Sequence, residues 1–241
     1  MNKRTTKAVL NRAVFTQKAL DSGALTVLAT LFHRFPERGN YDLFVQRRQE
    51  VIHRSNIRVV AENAPNQINV DLASLAESGA DRDCPPEEGY TLAVGGVMGF
   101  YASQGTGQYS VRIEEITSRE KRTLLDSNEA VPEGGLFAVT LVRPGTYRVA
   151  NADARGEGEI RVRLPKEEKF RVDQPTLVEC GRDGFKPKRL DMFAGQSVVF
   201  NCTTRCRIRV ELTKPEERTE GPRERAPFRL HNPRSRRGGE E

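Results

Sequence analysis

The sequence predicts an all-β protein, built from tandem small β-sandwich modules and closed by a disordered C-terminal tail. Three observations carry that expectation. Apolar and small or polar residues alternate through Phe137-Ala-Val-Thr-Leu141, Pro144-Gly145 turns the chain, and Tyr147 and Val149 resume the alternation before Gly158-Glu-Ile-Arg-Val162, which reads as strand, turn, strand, loop, strand. Turn signals recur at intervals of about ten residues, the spacing of a sandwich. The 241 residues are 37% hydrophobic and 30% charged, which suits small modules with a large share of surface.

Taken in order, residues 1–23 form an N-terminal arm, with Val9, Leu10, Val14 and Leu20 at a loosely helical spacing. A first module, 24–75, has strands at 25–35, 41–45, 51–53, 57–61 and 67–72, punctuated by Pro36 to Asn40 and Asn63 to Asn66. Residues 76–89 hold Gly, Asp and two prolines and read as a linker. A second module, 90–165, has strands at 90–94, 99–103, 108–116, 136–142, 146–149 and 158–164, with a charged loop at 117–133. A third, 170–213, has strands at 176–180, 188–193, 196–201 and 206–212. Residues 214–241 contain almost nothing apolar, too little to offset the entropy of ordering. An Ile-Arg-Val triplet closes each unit, at 57–59, 160–162 and 208–210, and Gly39-x-Tyr41 and Gly145-x-Tyr147 open the strand before the close. This repetition favours tandem β-modules.

Two stretches resemble the cupredoxins, the copper-carrying β-sandwiches. Phe137 to Val162 is similar to the family's closing strands, and Gly184-Phe-Lys-Pro through Val199-Phe-Asn201 to its opening strands. The resemblance implies an immunoglobulin/cupredoxin-like sandwich. It also implies a copper site of Cys, His and usually Met in the closing loop, and here residues 149–158 contain none of the three. Copper in a trigonal site requires a thiolate and imidazoles, so blue-copper chemistry is not expected.

The formal charge is +6, with 11 Lys/Arg against 7 Asp/Glu in residues 1–80, 10 against 13 in 81–165 and 18 against 13 in 166–241. An excess spread this thinly reads as solvated surface, and nucleic-acid binding through the basic ends is a secondary alternative. There is no Trp and only 7% aromatic residues, which disfavours surfaces that stack sugars or single-stranded bases. The apolar run Leu25 to Phe32 follows several basic residues but has no cleavage site and is too short to span a membrane. The expectation is a cytoplasmic protein without a membrane span.

Cys180, Cys202 and Cys206 are the candidate metal cluster, with His231 or Cys84 as a fourth ligand. Zinc sites usually pair two knuckles and only one is present, so free thiols are preferred and a disulfide stays open. His33 and His53 lie beside arginines on strands and lack a partnering carboxylate at fixed spacing. Gly95 to Gly99 and Gly105 to Gly107 lack the Lys-Ser/Thr of a phosphate loop and read as bulges or hairpin turns. No catalytic residue and no cofactor is expected. In the tail, Phe228, Arg229, Leu230, Arg234, Arg236 and Arg237 form a candidate docking segment, against the simpler reading of a solubilising tail. The function expected is a non-catalytic structural or protein-interaction role, as a subunit of a larger assembly. The partner is another protein or a second copy of the chain, and metal binding through the cysteines is the first alternative.

Overall fold

The structure, a computed structural model, describes residues 13–78, 89–105, 107–117, 121–153, 156–165 and 174–216. Within them the alternation of side chains produces strands almost everywhere. In chain order the elements are α1 (Ala13–Thr16), β1 (Ala19–Asp21), β2 (Ala29–Arg34), β3 (Gly39–Arg47), β4 (Glu50–Val60), β5 (Gln67–Asp71), α2 (Leu72–Ser78), β6 (Tyr90–Ala93), β7 (Val97–Tyr101), β8 (Tyr109–Ile116) and β9 (Lys121–Asp126). They continue with β10 (Leu136–Thr140), β11 (Gly145–Asn151), β12 (Glu157–Arg163), β13 (Thr176–Gly181), β14 (Gly184–Lys186), β15 (Arg189–Phe193), β16 (Ser197–Cys202) and β17 (Ile208–Pro215).

Three sheets result. A seven-stranded sheet has the order β14-β13-β16-β10-β2-β7-β5, and two five-stranded sheets run β6-β4-β3-β8-β9 and β1-β17-β11-β12-β15. Alternate residues face inward, as the pleat requires. Phe137 and Val139 of β10, Phe200 of β16 and Phe100 of β7 are sealed from solvent, with Phe35 and Tyr41 beside the first lateral sheet. One hydrophobic cluster draws on all three sheets.

The chain builds one arrangement twice. The order β6-β4-β3-β8 returns as β15-β12-β11-β17, and β5-β7-β2 returns as β13-β16-β10. Parallel pairs occur at the same places, β4 with β6 and β12 with β15, β5 with β7 and β13 with β16. Details repeat as well. The Tyr41 hydroxyl donates to the Glu37 carbonyl at 3.0 Å, and the Tyr147 hydroxyl to that of Arg143 at 2.8 Å, so each Tyr pins the turn that leads into its own strand. Gly95 (φ +77°) and Gly195 (φ +92°) make the same left-handed turn, which glycine adopts without steric cost. Each donates its N–H to the first strand's end, at Phe35 O and Leu141 O. The halves join where β2 and β10 pair antiparallel, with Thr30 opposite Ala138. That pairing makes the seven-stranded sheet continuous through both.

The strand that precedes each half belongs to the other. β1 lies before the first half but pairs with β17, Leu20 opposite Val210. β9 lies before the second half but pairs with β8, Leu125 opposite Ile113. The exchange ends identically on both sides. Buried Ser22 accepts the Ile208 N–H at 3.0 Å and returns its own N–H to the Ile208 carbonyl at 2.9 Å. Buried Ser127 makes the same two bonds with Val111, both at 2.9 Å. Asp21 and Asp126 each accept an N–H two residues on and close the following turn.

The all-β expectation holds, but the body is repeat-built, with one sheet shared, and is not a row of separate sandwich modules. The pairing also redraws the expected boundaries. Residues 90–116 pair with the strands expected in module 24–75, and 136–163 pair with those expected in 170–213. The triplets Ile57-Arg-Val59 and Ile160-Arg-Val162 are true counterparts in β4 and β12. Ile208-Arg-Val210 is not a third copy, since β17 is the counterpart of β8, where Val111-Arg-Ile113 stands. Its resemblance comes from a shared way of facing water with Arg. Lys214 and Pro215, expected in the tail, complete β17 against Thr146 and Gly145. The expected arm, 1–23, contributes β1 to a sheet.

Candidate functional site

Cys202 ends β16 and Cys180 stands one residue before the end of β13, and the parallel register sets them opposite each other. Cys206 follows a short turn and is held by a bridge to Val131. Its thiol donates to the Cys180 carbonyl at 3.4 Å, while the Asn151 amide donates to the Cys180 sulfur at 3.5 Å. All three cysteines are fully buried and none is in a disulfide. Asn151, also buried, accepts the backbone N–H of Arg207 at 2.9 Å and of Asp153 at 3.2 Å.

The three thiols perturb one another. Hydrogen bonding to Cys206 and burial push Cys180 and Cys202 up, while hydrogen bonds from those two thiols lower Cys206. The first half shows what these positions need. Leu72, Ala102 and Tyr109 stand where the second half has Cys180, Cys202 and Cys206, and Val45 where it has Asn151; all are buried. Small and large apolar groups fill the equivalent space, so the cysteines act there as core side chains.

Of the sequence-predicted metal residues, the structure brings Cys180, Cys202 and Cys206 together. Among the described residues no group of three or more His, Cys, Asp or Glu is placed to hold a metal ion. Cys84 and His231 lie outside the described residues. So does the expected docking segment of Phe228, Arg229, Leu230, Arg234, Arg236 and Arg237. Because Cys202 is buried, the Cys202→Ser substitution is expected to destabilise the fold by about 1–3 kcal/mol, as it puts a hydroxyl into an apolar site. The three core thiols should label with a thiol reagent only as fast as the protein opens. Rapid native-state labelling of all three, read by mass spectrometry, would contradict a sealed cluster.

His33 and His53 sit in different sheets. His33 points into the core from β2, its ring centroid 4.9 Å from that of Phe35 in an edge-to-face arrangement, and burial lowers its pKa to about 4. Two shallow depressions lie at matching places on the lateral sheets. One, about 490 Å³, is lined by Asn40, Asn56, Arg58 and Thr91, and the other, about 360 Å³, by Thr146, Arg148, Glu159 and Lys188. Their chemistry differs, so the duplication has not preserved a common ligand set there.

Sequence reasoning missed the outward face of the seven-stranded sheet. The register places Leu177, Val199, Ala138, Thr30, Tyr101 and Asp71 in one row across it. Glu179, Asn201, Leu136, Phe32, Gly99 and Asn69 form the next. Across the four central strands β16, β10, β2 and β7 the outward charge is Arg34, at the end of β2, and the neighbouring strand β13 adds Glu179. The lateral sheets are unlike this. One carries Arg54–Asp42 at 3.0 Å and Arg112–Glu114 at 3.3 Å, with both guanidiniums over the Phe44 ring. The other carries Arg148–Glu157, Arg163–Asp191 at 3.3 Å and Arg209–Glu211 at 3.6 Å. Among the described residues no helix is long and apolar enough to cross a membrane. No protein-family model matches the sequence, and the searches of curated proteins and of solved structures returned no match.

Proposed function

We propose that this chain is a non-catalytic interaction protein, a subunit that docks another polypeptide on the outward face of its seven-stranded sheet. The observation that carries the reading is the contrast between faces. Charge is set out in ion pairs on both lateral sheets, where water can solvate it, and is nearly withheld from a broad area between them. Covering that area would remove Leu177, Val199, Leu136, Phe32 and Tyr101 from water without desolvating an unpaired charge at its centre, and neutral cores with polar rims are how interfaces are built. The arginines of the lateral sheets are largely engaged with carboxylates, which weakens the nucleic-acid alternative. Free core thiols suit a reducing compartment such as the cytoplasm. Each half is read as a small two-sheet sandwich of cupredoxin-like type, used for its surface and not for a metal.

Size-exclusion of the native extract tests this reading. The chain should elute well above its own 27.1 kDa, and Phe32→Glu should return it to the monomer position. A wild-type chain that leaves the extract as a monomer would refute docking.

A further inference from the structure

We infer that residues 13–26 are an exchangeable arm, which a second copy of the chain can take into the place where the arm's own body holds it; this exchange uses a surface other than the docking face. The arm is held at two points. β1 pairs with β17, and Leu25 exchanges both backbone bonds with Tyr109 of β8, at 2.7 and 2.9 Å. A turn over residues 26–29 then joins the arm to β2, closed by the Ala29 N–H on the Thr26 carbonyl at 3.2 Å. Leu28 stands at its third position with φ +72°. The second half makes the same turn over 132–135, closed by the Gly135 N–H on the Pro132 carbonyl at 3.1 Å. The matching residue there is Gly134, with φ +79°. Glycine takes that conformation freely and leucine does not. The first turn is therefore strained and its duplicate is not.

The strain sits at a joint. β9 is tied on both sides, by β8 before it and β10 after it, whereas among the described residues β1 is tied to the body only through this turn. Opening the turn to extended backbone relieves Leu28 and carries the arm away as a unit. Its buried groups Leu20, Ser22 and Leu25 must then find cover again. A second copy offers each the partner it left, Val210 for Leu20, Ile208 for Ser22 and Tyr109 for Leu25. Only a chain with the same β17 and β8 supplies that set. Exchange of an identical element is a low-cost route to a dimer, and a short strained hinge invites it. The fold already uses the geometry once, since β9 precedes one half and completes the other. Val27, buried within the turn, is the contact that must be remade around the opened joint. Concentration decides between the forms. A short tether gives the arm an effective concentration of roughly a millimolar at its own body, so the closed monomer holds in dilute solution.

Slow refolding of the purified full-length chain from urea, at about 1 µM and about 1 mM, brackets that effective concentration and tests the exchange. Light scattering should give 27.1 kDa at the lower concentration and add a population of twice that mass at the higher. Ala19→Cys with Glu211→Cys, in a Cys84→Ser background, reads the exchange itself. The two positions are opposite each other across β1 and β17. Lys18 and Ser22 make the backbone bonds to β17 on either side, which leaves 19 and 211 a pair without mutual bonds, where side chains stand closest. Oxidised after separation, the monomer should carry this disulfide within one chain and the dimer between chains, as a non-reducing denaturing gel shows. Leu28→Gly and Leu28→Asn both relax a positive φ and should each cut the dimer population roughly tenfold or more, because the strain is relieved twice per dimer. Phe32→Glu should leave the dimer intact. A chain that refolds as monomer at both concentrations, or a dimer whose disulfides all lie within chains, overturns the exchange. A dimer population unchanged by both Leu28 variants overturns the assignment of the hinge.

Discussion

Replacing Leu20 with Ala is expected to destabilise the second half of the protein and not the first half, which Leu20 directly precedes. Leu20 is almost fully buried in β1, and its strand partner is Val210 of β17. Truncating a buried Leu costs about 2–4 kcal/mol, a large share of the ~5–15 kcal/mol that holds a typical domain. Ser22→Ala should add to this from a different cause. It leaves the buried Ile208 N–H without its acceptor, at about 1–3 kcal/mol. Amide exchange locates the damage. Protection should fall first along β17 and β11, at Val210, Leu212 and Val149, while β3 and β8 keep theirs. The mirror variants, Leu125→Ala and Ser127→Ala, should do the reverse. Loss of protection confined to the sheet that follows β1 in sequence would refute the exchange.

The second large effect is a loss of stability on mild acidification that traces to His33. Burial holds its pKa near 4 in the folded protein, against 6.5 when exposed. The unfolded chain therefore takes up the proton first. Stability from this group is complete above pH 6.5, declines as pH falls toward 4 and has no more to lose below that. The shift corresponds to roughly 3 kcal/mol. Asp71 acts outside this window. Burial raises its pKa, but bonds from Ser103, Ala73 and Ser74 outweigh that and hold it below 3.8. His33→Val tests the assignment, since Val139 occupies the matching place in β10. Urea unfolding of both proteins between pH 7 and 4 should show the wild type losing about 3 kcal/mol more than the variant. Parallel stability curves would remove His33 from the account.

Strands were legible because alternation is local. Phe137 and Val139 declare an inward face whatever they pair with, and Pro144-Gly145 declares a turn. Pairing partners were not legible, because nothing near Leu20 says that its neighbour is Val210. The best clue lay in a motif pair, Leu20-Asp-Ser22 and Leu125-Asp-Ser127, with Gly95 and Gly195 a hundred residues apart. The Ile-Arg-Val triplets were louder and misled, as β12 and β17 both alternate branched apolar residues with Arg while holding different places in the fold. The cysteines illustrate the same limit. Alternation put Cys180 and Cys202 inward, but only the parallel register of β13 and β16 makes them neighbours. The neutral face was invisible for a stronger reason. It exists only when strands from both halves stand side by side, and no window of sequence contains it.

The exchanged first strands also set a timetable for synthesis. β9 leaves the ribosome shortly after β8 and can close the first lateral sheet at once. β1 is made before either half, yet its partner β17 is the last strand among the described residues. At ~5–20 residues per second, roughly 10–40 s separate Leu20 from Val210 in a growing chain. Throughout that interval Ala19–Asp21 has no native partner, and Leu20 must stay exposed or be shielded by something else. The last pairing made among the described strands is then a clasp of β17 onto β1, where the Leu212 N–H meets the Lys18 carbonyl at 2.7 Å. A nascent chain stalled before residue 208 should hold a finished first half and an open second one, with its earliest-made strand still waiting.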